Sequence, residues 1–232
     1  SASYFDANNG YDPWSLDNDR STNSDQPGED TQKLATVTGA GDWTLSDNHA
    51  ITASLSYLNA DLHQSFDADW VSDAFCVRFV CSSGNDTTQE IFDRKRDRYI
   101  ADVRLLGADN SSASAGNRYL VGVYANTSSE SLDYQRPSVW YGDSASDSDY
   151  DTDRYAVYGE YQYALTEQLT LIAGLRLERF EDDYSDSNAF SSDNSNTLWD
   201  GELSARYSLS DTTMLYATVA SSQKPGGVNT TA

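Results

Sequence analysis

Four aspartates at alternate positions, Asp147, Asp149, Asp151 and Asp153, are oxygen ligands of the hard kind that calcium takes. The segment lacks the glycine and terminal glutamate of an EF-hand loop, so a solvated external loop is the competing expectation. Cys76 and Cys81 lie in FCVRFVC, and His49 and His63 cannot complete a zinc quartet with them at that spacing. A small-loop disulfide, implying periplasm or cell exterior, is expected for the pair, with redox or metal chemistry as the alternative. Catalytic groupings are lacking. There is no G-x-S-x-G elbow, no Ser/His/Asp set around either histidine, no phosphate-cradling glycine loop and no cysteine set beside a base. Carboxylate pairs are plentiful, but among 37 acids they single out no site. A protein that is not an enzyme and holds no cofactor is expected.

The elements that would position such residues are strands. The 232 residues carry 15 Lys plus Arg against 37 Asp plus Glu, a formal charge of −22, with a mean hydropathy of −0.65. No window approaches the roughly 20 apolar residues of a membrane helix, and a basic face for nucleic acid is missing. Twelve per cent aromatic residues nevertheless argue against simple disorder. After about residue 31, apolar and polar residues alternate along most of the chain. DRYAVYGEYQYAL sets Tyr155, Val157, Tyr161, Tyr163 and Leu165 on one face, and QLTLIAGLRLE continues the hairpin with Leu169, Leu171, Leu175 and Leu177. TLWDGELSARYSL and TTMLYATVAS form the next hairpin, and KLATVTGAGDWTL with AITASLSYL, then RYIADVRLL with RYLVGVYAN, precede them. Eight strands in four hairpins are expected.

Short turns alternate with long polar excursions around 59–95, 127–152 and 180–196, which places the long loops on one edge. Tyr155 and Tyr163, like Trp199 and Tyr207, stand eight residues apart on an apolar face. That is roughly 26 Å along a strand, or about 20 Å of height once tilted at roughly 40°, which fits two aromatic girdles around a lipid-facing band about 25 Å tall. Trp43 and Tyr57 join them as girdle candidates. The pattern predicts an all-β, antiparallel up-and-down transmembrane barrel segment with long extracellular loops and short periplasmic turns, because only a closed sheet pairs every backbone group inside hydrocarbon. A secreted, calcium-stabilised β-sandwich binding glycans is the alternative. In the barrel, Glu160, Arg176, Glu178, Asp200, Glu202 and Arg206 face the lumen and cross-pair as a structural network, with a role in solute passage as the weaker option. Much of the acidic charge is expected in the long loops, as in 142–153 and 181–196.

YDPWSLDNDRSTNSDQPGEDTQ (11–32), FDADW (66–70), RDRYIADVRLLG, and the blocks at 155–187 and 198–229 occur in an order that resembles TonB-dependent outer-membrane receptors of Gram-negative bacteria, the iron-complex and siderophore type included. The resemblance implies about 22 strands around an N-terminal plug, of which this chain would supply eight. It divides the chain into an extracellular loop over 1–30 and strand hairpins over 31–222, all within a partial barrel domain over 1–232. Ser1 at the start and the absence of a leader read as an excerpt without TonB box, plug or closing strand. The partners implied are outer-membrane lipid, TonB with ExbB and ExbD through the plug, and a small-molecule ligand such as a metal chelate, a cobalamin or a glycan. Phe75, Phe79, Trp140 and Tyr141 are the aromatic candidates for ligand contact, with self-packing of the loops as the alternative. A passive porin shares the barrel and differs in having no plug.

Overall fold

The computed structural model describes residues 1–10, 24–26, 28–72, 74–75, 88–108, 116–138 and 142–228. Among the described residues, nine antiparallel strands follow one another in a single sheet whose spatial order is the chain order. They are β1 (Ala2–Gly10), β2 (Glu29–Ser46), β3 (His49–Asp67), β4 (Gln89–Ala108), β5 (Arg118–Arg136), β6 (Ser144–Ala164), β7 (Leu169–Asp186), β8 (Ser191–Ser210) and β9 (Thr213–Ser221). No second sheet covers either face among the described residues, which removes the sandwich alternative: a sandwich buries its apolar face, whereas Leu175 and Leu203 here are 63% and 68% exposed.

From β2 to β9 every paired position joins residues of like parity, as in Gly39↔Leu55, Leu55↔Ala101, Ala101↔Ala125 and Ala125↔Tyr155, except Ser46↔His49 and Ser210↔Thr213, where the register shifts beside two tight turns. Side chains alternate along a strand, so odd-numbered residues share one face and even-numbered residues the other across eight strands. Within strand bodies Ala60, Asn126, Ala156, Glu178, Phe180, Asp182, Tyr184 and Leu198 are buried, all of them even-numbered, while the buried odd-numbered Ser65 and Asp67 lie at the upper end of β3. In a one-layer sheet such crowding marks the concave side. The even face is therefore the inside of an arc, and the odd face its outside.

The aromatic residues give the strand tilt. Starting from Tyr99 on β4, its register row crosses β6 at Asp153 and β8 at Ser195. The outward aromatics lie two residues below that row on β6 (Tyr155) and four below on β8 (Trp199), after two and four strand steps, with "below" meaning toward the short connections. At the lower boundary the row of Trp43 crosses Gly159 and Gly201, and Tyr163 and Tyr207 lie four and six residues below it after four and six steps. Both girdles thus descend one residue per strand. With a rise of about 3.3 Å per residue and about 4.8 Å between strands, that slope is roughly 35°, the tilt of a membrane barrel. Level girdles require this slope. The outward band between them is apolar, with Val103, Val121, Val123, Val157, Leu175, Leu177 and Leu203 exposed.

Two expectations change. The chain has a ninth strand: Ala2–Gly10, within the region expected to be loop, pairs with β2 from Ala2↔Val37 to Asn8↔Thr31, and the register shifts before Gly10, whose φ is +77°. Nine residues with one clear aromatic step carry too little alternation to announce it. The excursions are also largely strand, since β3 runs to Asp67, β4 starts at Gln89, β5 runs to Arg136, β6 starts at Ser144, β7 runs to Asp186 and β8 starts at Ser191. Above the upper girdle both faces of the sheet meet water, so hydrophobic alternation fades while backbone pairing continues. The connections between strands reduce there to 11–28, 68–88, 137–143 and 187–190, all on one edge, and the connections on the opposite edge are 47–48, 109–117, 165–168 and 211–212.

Candidate functional site

The strand extensions raise a wall above the lipid band, and its inward face gathers the arginines. Of the twelve Lys and Arg in β2–β9, nine are even-numbered and face inward, all of them arginines, while Lys33, Lys95 and Arg179 face outward. On β4 the run DRKRDR places Arg94, Arg96 and Arg98 at period two, one above another on the inward face. Arg96 donates from Nε to Glu130 on β5 at 2.7 Å and Arg98 from Nε to Asn126 Oδ1 at 2.8 Å. Arg94 Nε lies 3.0 Å from the other Glu130 oxygen, an ion pair without hydrogen-bond alignment. One carboxylate therefore serves two guanidiniums.

Aromatic side chains flank this ladder. Trp70 stacks on Phe66 with centroids 5.4 Å apart, Phe66 on Phe92 at 6.0 Å, and Phe92 meets Tyr134 at 4.9 Å. Trp70 reaches this position from a left-handed backbone with φ of 60°. A cleft of about 300 Å³ lies between Leu62, Phe66, Phe92 and Arg94, and a second of about 180 Å³ between Arg94, Glu130, Tyr150 and Tyr184. Tyr150 donates to Asp182 Oδ2 at 3.2 Å, and Asp182 Oδ1 is buried without a hydrogen-bond partner. Burial and then the neighbouring Asp182 carboxylate push the Tyr150 phenol up. Burial likewise raises Tyr134 and Tyr184.

At the rim, Asp67 is fully buried and accepts the backbone N–H of Asp25 at 3.1 Å and of Asp69 at 3.4 Å, tying the 11–28 connection to the base of the 68–88 connection. Asp69 is pushed up to about 6, chiefly by burial and then by Asp67 and Asp25, against the opposing N–H of Val71.

Lower down, at and just below the level of the upper girdle, Arg176 donates from Nε to Glu178 at 3.0 Å, and Arg154 Nη1 lies 3.6 Å from the same carboxylate. Arg154 covers the Phe180 ring at 4.7 Å, and Arg176 lies 5.0 Å from the Tyr124 ring and 5.8 Å from that of Tyr158. Tyr158 donates to Asp102 at 2.7 Å and accepts from Arg104 at 2.9 Å. Its ring lies flat on β5 because residue 122 is glycine: a Cβ there would stand 2.4 Å from Tyr158 Cζ.

Of the lumenal charges named from sequence, Arg176 and Glu178 pair. Glu160 instead accepts from Gln162 at 2.7 Å, Glu202 from Ser204 at 2.9 Å, and Asp200 from the backbone of Gln223 at 2.8 Å. Arg206 has no ion pair among the described residues. Sequence reading missed Arg94, Arg96, Arg98, Glu130 and Arg154, although an Arg-x-Arg-x-Arg run continuing a strand was a legible signal. Phe75 lies next to the rim, its N–H donating to Ser72 at 3.3 Å. Cys76, Cys81, Phe79, Trp140 and Tyr141 fall outside the described residues. Asp147, Asp149, Asp151 and Asp153 are strand, not loop, and stand outward on β6. Alternate residues are roughly 6.6 Å apart, too widely spaced along one strand to close around an ion bound at about 2.3–2.6 Å, and no metal-holding group of His, Cys, Asp or Glu occurs among the described residues. With Asp93, Asp97, Glu181, Asp183 and Asp193 they form an outward acidic collar above the upper girdle, which corrects the expectation that the acids sit in loops.

A one-layer meander, tilted as a barrel wall, apolar outward between two aromatic girdles and arginine-rich inward, defines a segment of a transmembrane β-barrel. The family model described as TonB dependent receptor-like, beta-barrel matches residues 1–232, and the chain belongs to that family. Among curated proteins none matches the chain by sequence. Among solved structures it is similar to the ferric-catecholate import receptor Fiu of E. coli K12 in its open form, with TM-score 0.69 and 15% identity over 88% of this chain and 37% of that one. The closed form of Fiu gives TM-score 0.66 and 15% identity over 97% of this chain and 40% of that one. The ferric yersiniabactin uptake receptor FyuA of Yersinia pestis gives 0.67 and 15% over 88% of this chain and 31% of that one. The chain thus spans 31% to 40% of the length of these neighbours, and the likeness is one of fold.

Proposed function

We propose that this chain is part of the wall of an outer-membrane receptor that captures an anionic metal chelate of the siderophore class from outside the cell and imports it with TonB-derived energy through a plug. The observation that carries the reading is the inward face above the upper girdle, where Arg94 stands beside the Trp70–Phe66–Phe92–Tyr134 ladder and Arg96 and Arg98 follow below it on β4. A multiply charged chelate with aromatic arms needs both kinds of partner, guanidinium for the anion and ring faces for the arms. The acidic collar repels such an anion from the outer surface and leaves the inward wall as its landing place. Family membership and the two siderophore receptors among the neighbours support the same assignment, and nothing in the wall requires catalysis.

The test is a titration of the receptor carrying this segment with a ferric catecholate complex, read by quenching of tryptophan fluorescence. Loss of one charge-assisted contact of about 1.5–3 kcal/mol raises Kd roughly ten- to a hundredfold in Arg96→Gln, and the deficit shrinks with added salt. An unchanged Kd overturns the binding assignment. Uptake that survives collapse of the inner-membrane proton gradient overturns the energised step and favours a porin.

A further inference from the structure

Arg94 stands where two inward clefts meet. It is central in the register row Leu62, Arg94, Leu132, Ser148, and it lines both the cleft of about 300 Å³ beside Phe66 and Phe92 and the cleft of about 180 Å³ beside Tyr150 and Tyr184. The first cleft offers ring faces. The second is of another kind, because its phenols have already given up their protons to carboxylates behind them.

Tyr150 donates to Asp182 Oδ2 at 3.2 Å, and Tyr184 donates to Asp186 Oδ2 at 3.3 Å. A phenol has a single proton, so each of these oxygens is left to accept from whatever enters the cleft. The carboxylates behind them are not matched by cations. Neither Asp182 nor Asp186 joins an ion pair among the described residues, and Asp182, 4% exposed, keeps Oδ1 without a hydrogen-bond partner. Arg94 is the cation that lines the cleft, and with Arg96 it is already engaged by Glu130. The cleft therefore presents two phenol acceptors backed by two uncompensated negative charges.

We propose that the chelate held by this wall carries a primary ammonium on a short side arm, and that the cleft between Tyr150 and Tyr184 is the subsite that reads it. An aryl arm lies against Phe66 and Phe92, the anionic centre meets the Arg94 guanidinium between the clefts, and the ammonium donates to the Tyr150 and Tyr184 oxygens. An apolar arm would enclose both phenol oxygens without a donor, and an anionic arm would meet the field of Asp182 and Asp186. A small cleft of acceptors backed by negative charge thus selects a compact cation. The inference rests on the reading of the wall as a chelate-binding surface and adds the chemistry of one arm of the ligand.

The test titrates the receptor carrying this segment, in detergent, with two ferric complexes, read by quenching of tryptophan fluorescence. The ligands are Nα-(2,3-dihydroxybenzoyl)lysine and Nα-(2,3-dihydroxybenzoyl)norleucine, which share the aryl arm and the carboxylate and differ in the terminal ammonium. The lysine complex is expected to bind roughly ten- to a hundredfold more tightly, the value of a charged hydrogen bond. Tyr150→Phe with Tyr184→Phe is expected to abolish that preference and to leave the norleucine complex unchanged. These substitutions keep the receptor's net charge, so a general attraction of an acidic chain for cations does not reproduce the result. Equal affinity of the unaltered receptor for the two complexes overturns the inference and leaves the chelate-binding reading standing, as does a preference that persists in the doubly substituted receptor. Binding of neither complex overturns the chelate-binding reading and the inference with it. Migration of the folded barrel on an unheated gel reports folding, and if the double variant does not fold, Tyr150→Phe alone decides the matter: a preference it does not reduce overturns the inference.

Discussion

Glu178 offers the sharpest test of how the lumenal wall is held together. Its side chain is 9% exposed and is shared by Arg154 and Arg176, whose side chains are 38% and 30% exposed. Removing the carboxylate in Glu178→Ala leaves two guanidiniums facing each other across β6 and β7 without a counter-charge and loosens Arg176 from the Tyr124 and Tyr158 rings. A fully buried pair broken in this way costs about 3–5 kcal/mol. Both arginines retain access to water in the lumen, which lowers the cost to about 2–3 kcal/mol. The comparison is built into the same strand: Arg179 and Glu181 are 46% and 49% exposed, and an exposed pair is worth about 0–1 kcal/mol. Equilibrium unfolding of the receptor in urea, refolded into lipid vesicles and followed by tryptophan emission, measures both. Glu178→Gln keeps an acceptor and should fall between them. If Glu178→Ala and Glu181→Ala differ by less than roughly 0.5 kcal/mol, within the scatter of such surface effects, burial does not set the strength of these pairs and the reasoning fails.

Leu175→Arg puts a charge in the middle of the outward band and is expected to cost about 2–4 kcal/mol, while Asp149→Arg, above the girdle, should change stability by less than about 0.5 kcal/mol in the same unfolding experiment. Gly122→Ala places a Cβ against the Tyr158 ring, so it should destabilise by about 1–3 kcal/mol, and Tyr158→Ala in the same chain should relieve part of that cost. Asp69 keeps its proton in the folded rim up to about pH 6, whereas an unfolded aspartate loses it near 3.8. Across that window the native state binds more protons, so rim stability is greatest below it and declines as pH rises through it. Amide protection at 69–72, corrected for intrinsic exchange, should fall from pH 4 to pH 6, and Asp69→Asn should make it flat. Protection that rises instead would reverse the assignment.

Much of this was legible in the residues. Alternation alone located eight strands, and the eight-residue spacing of Tyr155 with Tyr163 and of Trp199 with Tyr207 fixed the height of the lipid band, because hydrocarbon forces an apolar outward face and leaves no choice of period. Legibility ended where the sheet leaves the membrane. There neither face is compelled to be apolar, so β6 from Ser144 to Asp153 reads as a polar run although its backbone pairs residue by residue with β5. The arginine ladder was lost for the same reason, since Arg94 lies in a stretch that looked like loop and Arg96 at its edge.

Composition and spacing by themselves determined a sheet with one face for lipid, the level of its two aromatic boundaries, and the absence of any membrane helix, all of which follow from the solvent each side chain must meet. Only the tertiary structure decided which residues become neighbours across strands. A register cannot be inferred from one strand, because hydrogen bonding between strands is indifferent to side-chain identity and only the packing of the whole arc selects the pairing. That pairing joins Arg94 and Arg96 to Glu130, shares Glu178 between Arg154 and Arg176, sets Arg179 beside Tyr155, and makes the girdles descend one residue per strand. It also divided the acidic charge that dominates the sequence: much of it stands as a collar on the outside of the wall, and the arginines were left to the inside.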